Sequence, residues 1–201
     1  MSSAAKKLEP KYTYHDYLTW DDNQRRELID GIVFNMSPAP SRRHQEIFGI
    51  LFNLFFNYLT DKKCRVYGAP FDVRFPESHE EDEAITTVVQ PDILVVCDES
   101  KLDDRGMKGP PDLIIEITSP ATSHLDLKEK FDLYERHGVK EYWIVHPFEE
   151  TVMLNLLGSD GEYRKAKLFA GNDKIEVSIF KDLIIDLNVV FDRNKNITLP
   201  S

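Results

Sequence analysis

The chain has 201 residues, 41% of them hydrophobic, with 25 basic against 35 acidic residues and a formal net charge of −10. That apolar share supports a core without disulfide staples, and the length fits a single domain over residues 1–201. The charge speaks against a surface that grips nucleic acid electrostatically all round, and no window reaches the ~18 apolar residues of a membrane span.

The polar segment 1–11 has no apolar stretch behind it, so it reads as a flexible tail rather than a signal peptide. Thr13 to Trp20 reads as a short helix, with Thr13 or the preceding turn as its cap. Glu27–Ile29 and Ile32–Met36, joined by Asp30-Gly31, read as a hairpin, because Asp-Gly suits a two-residue turn with positive backbone angles. Ser37-Pro38-Ala39-Pro40 is a turn, after which Ser41 can cap a long helix running to about Thr60. Cys64 to Phe75 is expected as one extended or bent strand weakened at Pro70, and Glu77 to Glu83 as an acidic loop. Val88–Cys97 and Leu113–Thr118 are nearly continuous β-branched runs, the pattern of strands covered on both faces. Asp126 to His137 is a helix stopped by Gly138, and Glu141–Val145 is a strand stopped by Pro147. Thr151–Leu157 and Tyr163–Phe169 look like an antiparallel continuation, followed by one or two short segments within 175–190. Helices flanking a mixed central sheet make the fold class α/β or α+β. Cys64 and Cys97 lie in no Cys-x-x-Cys pair, which argues against a zinc or redox motif and for a reducing cytoplasm.

Two acids stand where burial should exclude them. Glu116 lies inside the apolar run Leu113–Ile117, and Asp92 opens the run Ile93–Val96. An ionised carboxylate there needs a partner, a hydrogen bond or a metal. If the two strands pair in suitable register, both acids point into one hole, and a divalent, oxygen-loving cation relieves their repulsion. Either acid alone could equally pair with a nearby lysine or arginine. On the helix from Asp126, Leu127, Phe131 and Tyr134 define the buried stripe, and Lys130 lies on its flank. Lys130 can therefore reach inward, or it can form an ordinary i, i+4 pair with Asp126. His44 lies in line with Ile47, Leu51 and Phe55, facing the core from the start of the long helix. It can be a structural histidine or can assist proton transfer. Glu27 alternates with apolar Leu28 and Ile29, and its role depends on where the hairpin lies.

Pro91-Asp92 followed by Glu116-Ile117-Thr118 resembles the PD-(D/E)XK nuclease motif, with Thr118 in the place of the usual strand lysine. The wider chain resembles the Uma-two family, whose members are named restriction endonucleases by motif. The resemblance runs through Glu27-Leu28-Ile29-Asp30-Gly31, Met36 to Pro40 with His44, Pro91-Asp92-Ile93, Glu116 to Thr122, Lys130, Tyr134 and Gly138 to Val145. It covers residues 12 to 190 and implies a restriction-endonuclease-like core whose lysine has moved to the following helix, at Lys130. It further implies that Asp92 and Glu116, with the backbone carbonyl of Ile117, hold Mg²⁺, for which Mn²⁺ can substitute. Glu27 would complete the carboxylates, and His44 would serve as an accessory acid or base. DNA is the implied substrate, cleaved by a homodimer. A nuclease fold kept as a nucleic-acid- or protein-binding module, and an acidic domain that binds a basic partner, are the competing readings. Residues 76–104 hold ten acids against Lys101 alone, so the acidity is concentrated around the Asp92 strand.

Overall fold

The structure is a computed structural model that describes residues 11–22, 24–36, 39–78, 80–119 and 128–191. Most of the expected tail, the Ser37-Pro38 half of the turn and the Asp126-Leu127 start of the third helix lie outside these residues. In chain order the elements are α1 (Tyr14–Thr19), β1 (Arg26–Ile29), β2 (Ile32–Asn35), α2 (Arg42–Leu59), β3 (Arg65–Gly68), β4 (Val73–Arg74), β5 (Val88–Val89) and β6 (Ile93–Val96). They continue with β7 (Leu102–Asp103), β8 (Gly106–Lys108), β9 (Leu113–Ile117), α3 (Lys130–Arg136), β10 (Glu141–His146), β11 (Thr151–Leu156), β12 (Lys167–Ala170), β13 (Lys174–Glu176), β14 (Ile184–Asp186) and α4 (Leu187–Val190).

The local signals act as expected. Thr13 and Asp16 form a reciprocal capping box on α1, and the Ser41 side chain accepts from the His44 amide at the start of α2. Asp30 (φ 52°) and Gly31 (φ 80°) turn the β1–β2 hairpin, and Gly138 (φ 81°) follows α3. Over the described residues α3 runs Lys130–Arg136, with residues 128–129 in a wider π-type turn ahead of it.

The central sheet has the order β12-β11-β10-β9-β6-β3, with β9 and β10 parallel and the other pairs antiparallel. A second sheet has the order β2-β1-β5-β4-β8-β7. One face of the central sheet buries Ile93, Ile115 and Trp143 against Ile47, Leu51 and Phe55 of α2. The other face buries Leu94, Ile114 and Tyr142 against Val73 and Val89 of the second sheet and Tyr134 of α3. Both faces of β6 and β9 are covered, which accounts for their unbroken apolar runs.

Two expected strands are each split between the sheets. Cys64 to Phe75 becomes β3 and β4, separated by the cis Ala69-Pro70 bond, and Val88 to Cys97 becomes β5 and β6, separated by Gln90-Pro91-Asp92. β3 pairs with β6 in the central sheet and β4 pairs with β5 in the second, so these segments form one long hairpin bent from one sheet into the other. Proline cannot donate to a ladder, and both bends fall at prolines. The Ala69 amide donates to the Asp92 carbonyl at 3.0 Å, holding the bend together. Tyr163 makes only an isolated bridge to Leu157, so β12 begins later than expected.

Cys64 and Cys97 are joined by a disulfide, where the sequence reads as having a core without disulfide staples. The β3–β6 register sets Arg65 opposite Val96, and the cysteines flank that pair one residue further out. Among the described residues, no helix is long and apolar enough to cross a membrane. The acids around Asp92 are largely consumed by structure. The buried Arg74 guanidinium pairs with Asp82 at 2.7 Å and Asp103 at 2.6 Å, and against a partial loss of solvent this lowers the pKa of the Asp103 carboxyl.

Two glycine substitutions should shift stability in opposite directions in urea unfolding. At Gly106 (φ 124°) a Cβ would lie 2.2 Å from the Asp72 carbonyl oxygen, and Gly106→Ala should cost about 3 kcal/mol. Gly49 is exposed within α2 with nothing near its missing Cβ, and Gly49→Ala should add about 0.5–1 kcal/mol.

Candidate active site

The bend at Pro91 places Asp92 directly ahead of β6, where the chain enters the central sheet. β6 runs antiparallel to β9 with Ile93 opposite Ile115, so Asp92 comes next to Glu116. The Asp92 carboxylate Oδ2 accepts from the Ile117 amide at 2.8 Å, and the Asp92 amide lies 3.5 Å from Glu116 Oε2. The two acids named from the sequence therefore meet at one end of the β6–β9 pair.

Glu116 is 4% exposed and shares its face with Ile114, toward the second sheet and α3. Its Oε1 accepts from Lys130 Nζ at 2.9 Å and from the Tyr134 hydroxyl at 2.7 Å. Lys130 is 3% exposed, and its Nζ also lies 3.0 Å from Glu27 Oε1. Glu27 comes from β1 in the second sheet, where the Gln90 amide donates to the same Oε1 at 2.8 Å. The inward reading of Lys130 is the one the structure takes. Glu27 is the second anion on Lys130, held from the second sheet. Burial, with Glu116 and Glu27 nearby, pushes the Tyr134 phenol well above its ordinary pKa, so it stays a hydroxyl donor.

His44 reaches the same cluster from α2. Its Nε2 lies 3.2 Å from Asp92 Oδ2, within hydrogen-bond distance. His44 Nδ1 is buried without a hydrogen bond. Thr118, which takes the place of the strand lysine in the motif the sequence resembles, is buried, with Oγ1 3.2 Å from both the Val145 carbonyl and His146 Nδ1. No long side chain could replace it there without losing these contacts.

Two contributors were missed in the sequence. Tyr134 is named for the core stripe and within the family resemblance but given no part in the site, although it sits four residues after Lys130 and so shares its face. Gln90 precedes Pro91-Asp92 and is fixed by Arg25 Nη2 on its Oε1 at 2.8 Å and by its own Nε2 on Asp72 Oδ1 at 2.8 Å. Fixing Gln90 in turn aims its backbone amide at Glu27.

Among the described residues, no three acidic, histidine or cysteine side chains converge as a metal cage. Mg²⁺ commonly binds through only one or two carboxylates plus waters and substrate phosphate. Asp92 and Glu116 meet that lesser demand. Both are hard oxygen donors, and the three acids Glu27, Asp92 and Glu116 outnumber the one lysine among them.

Residues 14–189 match the family model of Uma2, described as "Putative restriction endonuclease". The chain belongs to the Uma2 family. "Uncharacterized protein slr1290" of Synechocystis is 25% identical over 171 residues, covering 84% of this chain and 85% of that protein. The crystal structure of a putative nuclease belonging to DUF820 from Anabaena variabilis superposes with a TM-score of 0.71 at 19% identity. It covers 90% of this chain and 97% of that one, and shows the same nuclease-like fold. Within this Uma2 chain, the two motif acids and the helix lysine lie in one cluster.

Removing the lysine should reveal how much it holds. Lys130→Met leaves Glu27 and Glu116 facing each other in the interior and should cost about 3–5 kcal/mol in urea unfolding at neutral pH. Tyr134→Phe should cost about 1–2 kcal/mol. Lys128→Met, on an exposed side chain, should change stability by less than about 0.5 kcal/mol.

Proposed function

We propose that this protein is a Mg²⁺- or Mn²⁺-dependent endonuclease that hydrolyses phosphodiester bonds in DNA. The observation that carries this reading is the meeting of Asp92 and Glu116, with Lys130 on Glu116, where the bent hairpin crosses between the sheets. Family membership supports a nucleic-acid substrate, and the preference for DNA is part of the proposal.

The residues divide the work. Asp92 and Glu116, with the Ile117 carbonyl, would hold the cation. When bound, such an ion supplies Lewis-acid polarisation of a phosphoryl oxygen and lowers the pKa of a coordinated water. The Ile117 amide fixes Asp92 through Oδ2, and Lys130 and Tyr134 fix Glu116 through Oε1. Each carboxylate is thus anchored by one oxygen. Lys130 brings a positive charge to the developing phosphate charge, and Glu27 positions Lys130 from the second sheet. His44 sets Nε2 against Asp92 and is placed to assist proton transfer. Cutting both strands of a duplex calls for two such centres, which a homodimer would supply.

Plasmid cleavage in Mg²⁺ or Mn²⁺ tests the reading. Wild type should nick DNA, and Asp92→Ala and Glu116→Gln should slow nicking by about 100-fold or more. Asp92→Asn should also weaken Mn²⁺ binding measured without DNA. Equal cleavage by wild type and all three variants would overturn the assignment.

A further inference from the structure

A cavity of about 440 Å³ opens beside this cluster without including any of its acids. Ile144 in its wall is the β10 register partner of Glu116, and Phe131 in its wall follows Lys130 on α3. It therefore lies on the same side of the central sheet, one strand further out.

Three features of the cavity point to one kind of ligand. The walls are apolar and aromatic, with the Phe131 and Tyr163 rings edge-to-face at 5.2 Å and Met153 beside them. Tyr163 is held in place, its hydroxyl donating to the Val139 carbonyl at 3.0 Å and its amide to Glu135 at 2.6 Å. Asn155 also lines the cavity and is 1% exposed. Its Nδ2 donates to the Tyr142 carbonyl at 3.3 Å, which fixes the amide's orientation and leaves Oδ1 buried without a donor. Buried acceptors left in that state are uncommon in native proteins. At the mouth stand two cations, Arg164 and Lys165. Arg164 is paired with Asp160 at 2.9 Å, whereas Lys165 has no ion pair among the described residues.

We propose that this cavity binds a nucleotide, with the base against Phe131 and Tyr163, a base N–H on Asn155 Oδ1, and the phosphate at Lys165. Aromatic and apolar walls suit a planar base, a buried acceptor reads its N–H edge, and a cationic mouth suits its phosphate. Asn155 offers only an acceptor, which any base N–H edge can meet, and guanine is the probe of choice because it presents two such donors, N1–H and its 2-amino group, on one edge. The same chemistry has two sources. One is a free 5′-nucleotide, and the other is a base turned out of a strand lying across the neighbouring acids.

The test is calorimetric titration of 5′-GMP into the full-length protein in EDTA, joined to fluorescence of a 2-aminopurine-containing duplex in the same buffer. GMP should bind wild type and Asp92→Ala alike. Binding should weaken by about tenfold in Lys165→Glu, the loss of one charge-assisted contact. Ala166→Trp fills the exposed mouth and should abolish it. A fluorescence rise with wild type that Ala166→Trp removes assigns the pocket to a base within a strand, and GMP binding without that rise assigns it to free nucleotide. The proposal is overturned by absence of both signals, by GMP binding unchanged in both mouth variants, or by equal displacement with inorganic phosphate. No arm requires cleavage, so a protein that takes GMP but cuts nothing would lose the nuclease reading and keep this one.

Discussion

The arrangement depends on one buried ammonium. Lys130 Nζ sits between Glu116 of the central sheet and Glu27 of the second sheet, within 3.0 Å of each. Burying any one of these charges alone would cost several kcal/mol, so each is tolerable only where the others are. The trio therefore couples three layers at one point: β9, β1 and α3. Tyr134 adds a neutral donor to the same Glu116 oxygen, and its own burial keeps it protonated.

The bent hairpin supplies the rest. Because β3–β4 and β5–β6 cross together from one sheet to the other, Asp92 is delivered to the junction by the backbone itself. The flanking Gln90 fastens the second sheet's Glu27, and the Ile117 amide fastens Asp92. Much of the surrounding acidity serves the fold. Asp82 and Asp103 compensate the buried Arg74, and the Asp98 side chain caps the turn that follows β6. The segment around Asp92 is thus less open to cations than its charge count suggests. Asp92 and Glu116 are its neighbouring pair of acids at the sheet junction.

Local chemistry was legible in the sequence wherever it is decided by neighbours in the chain. The Thr13 and Ser41 caps, the Asp30-Gly31 turn and the fully covered β9 each rest on a short-range rule. Glu116 and Lys130 stood out because a charge on an apolar stripe demands a partner. What was not legible depends on long-range pairing. The break at Pro91 could be suspected, but only the β3–β6 and β4–β5 ladders show that the halves belong to different sheets. The Cys64–Cys97 bond needs the same register. The role of Tyr134 was hidden because an aromatic ring on a buried stripe is accounted for by packing alone, and nothing local shows that its hydroxyl finds Glu116.

The central claim is that Asp92 and Glu116, anchored by Ile117, Lys130 and Tyr134, form a seat for one divalent cation. Anomalous diffraction from crystals of the full-length protein soaked in Mn²⁺ tests it most directly. The account predicts a peak bridging the Asp92 and Glu116 carboxylates, absent from crystals of Asp92→Asn. Mn²⁺ bound only elsewhere, or the junction left empty at saturating Mn²⁺, would contradict it.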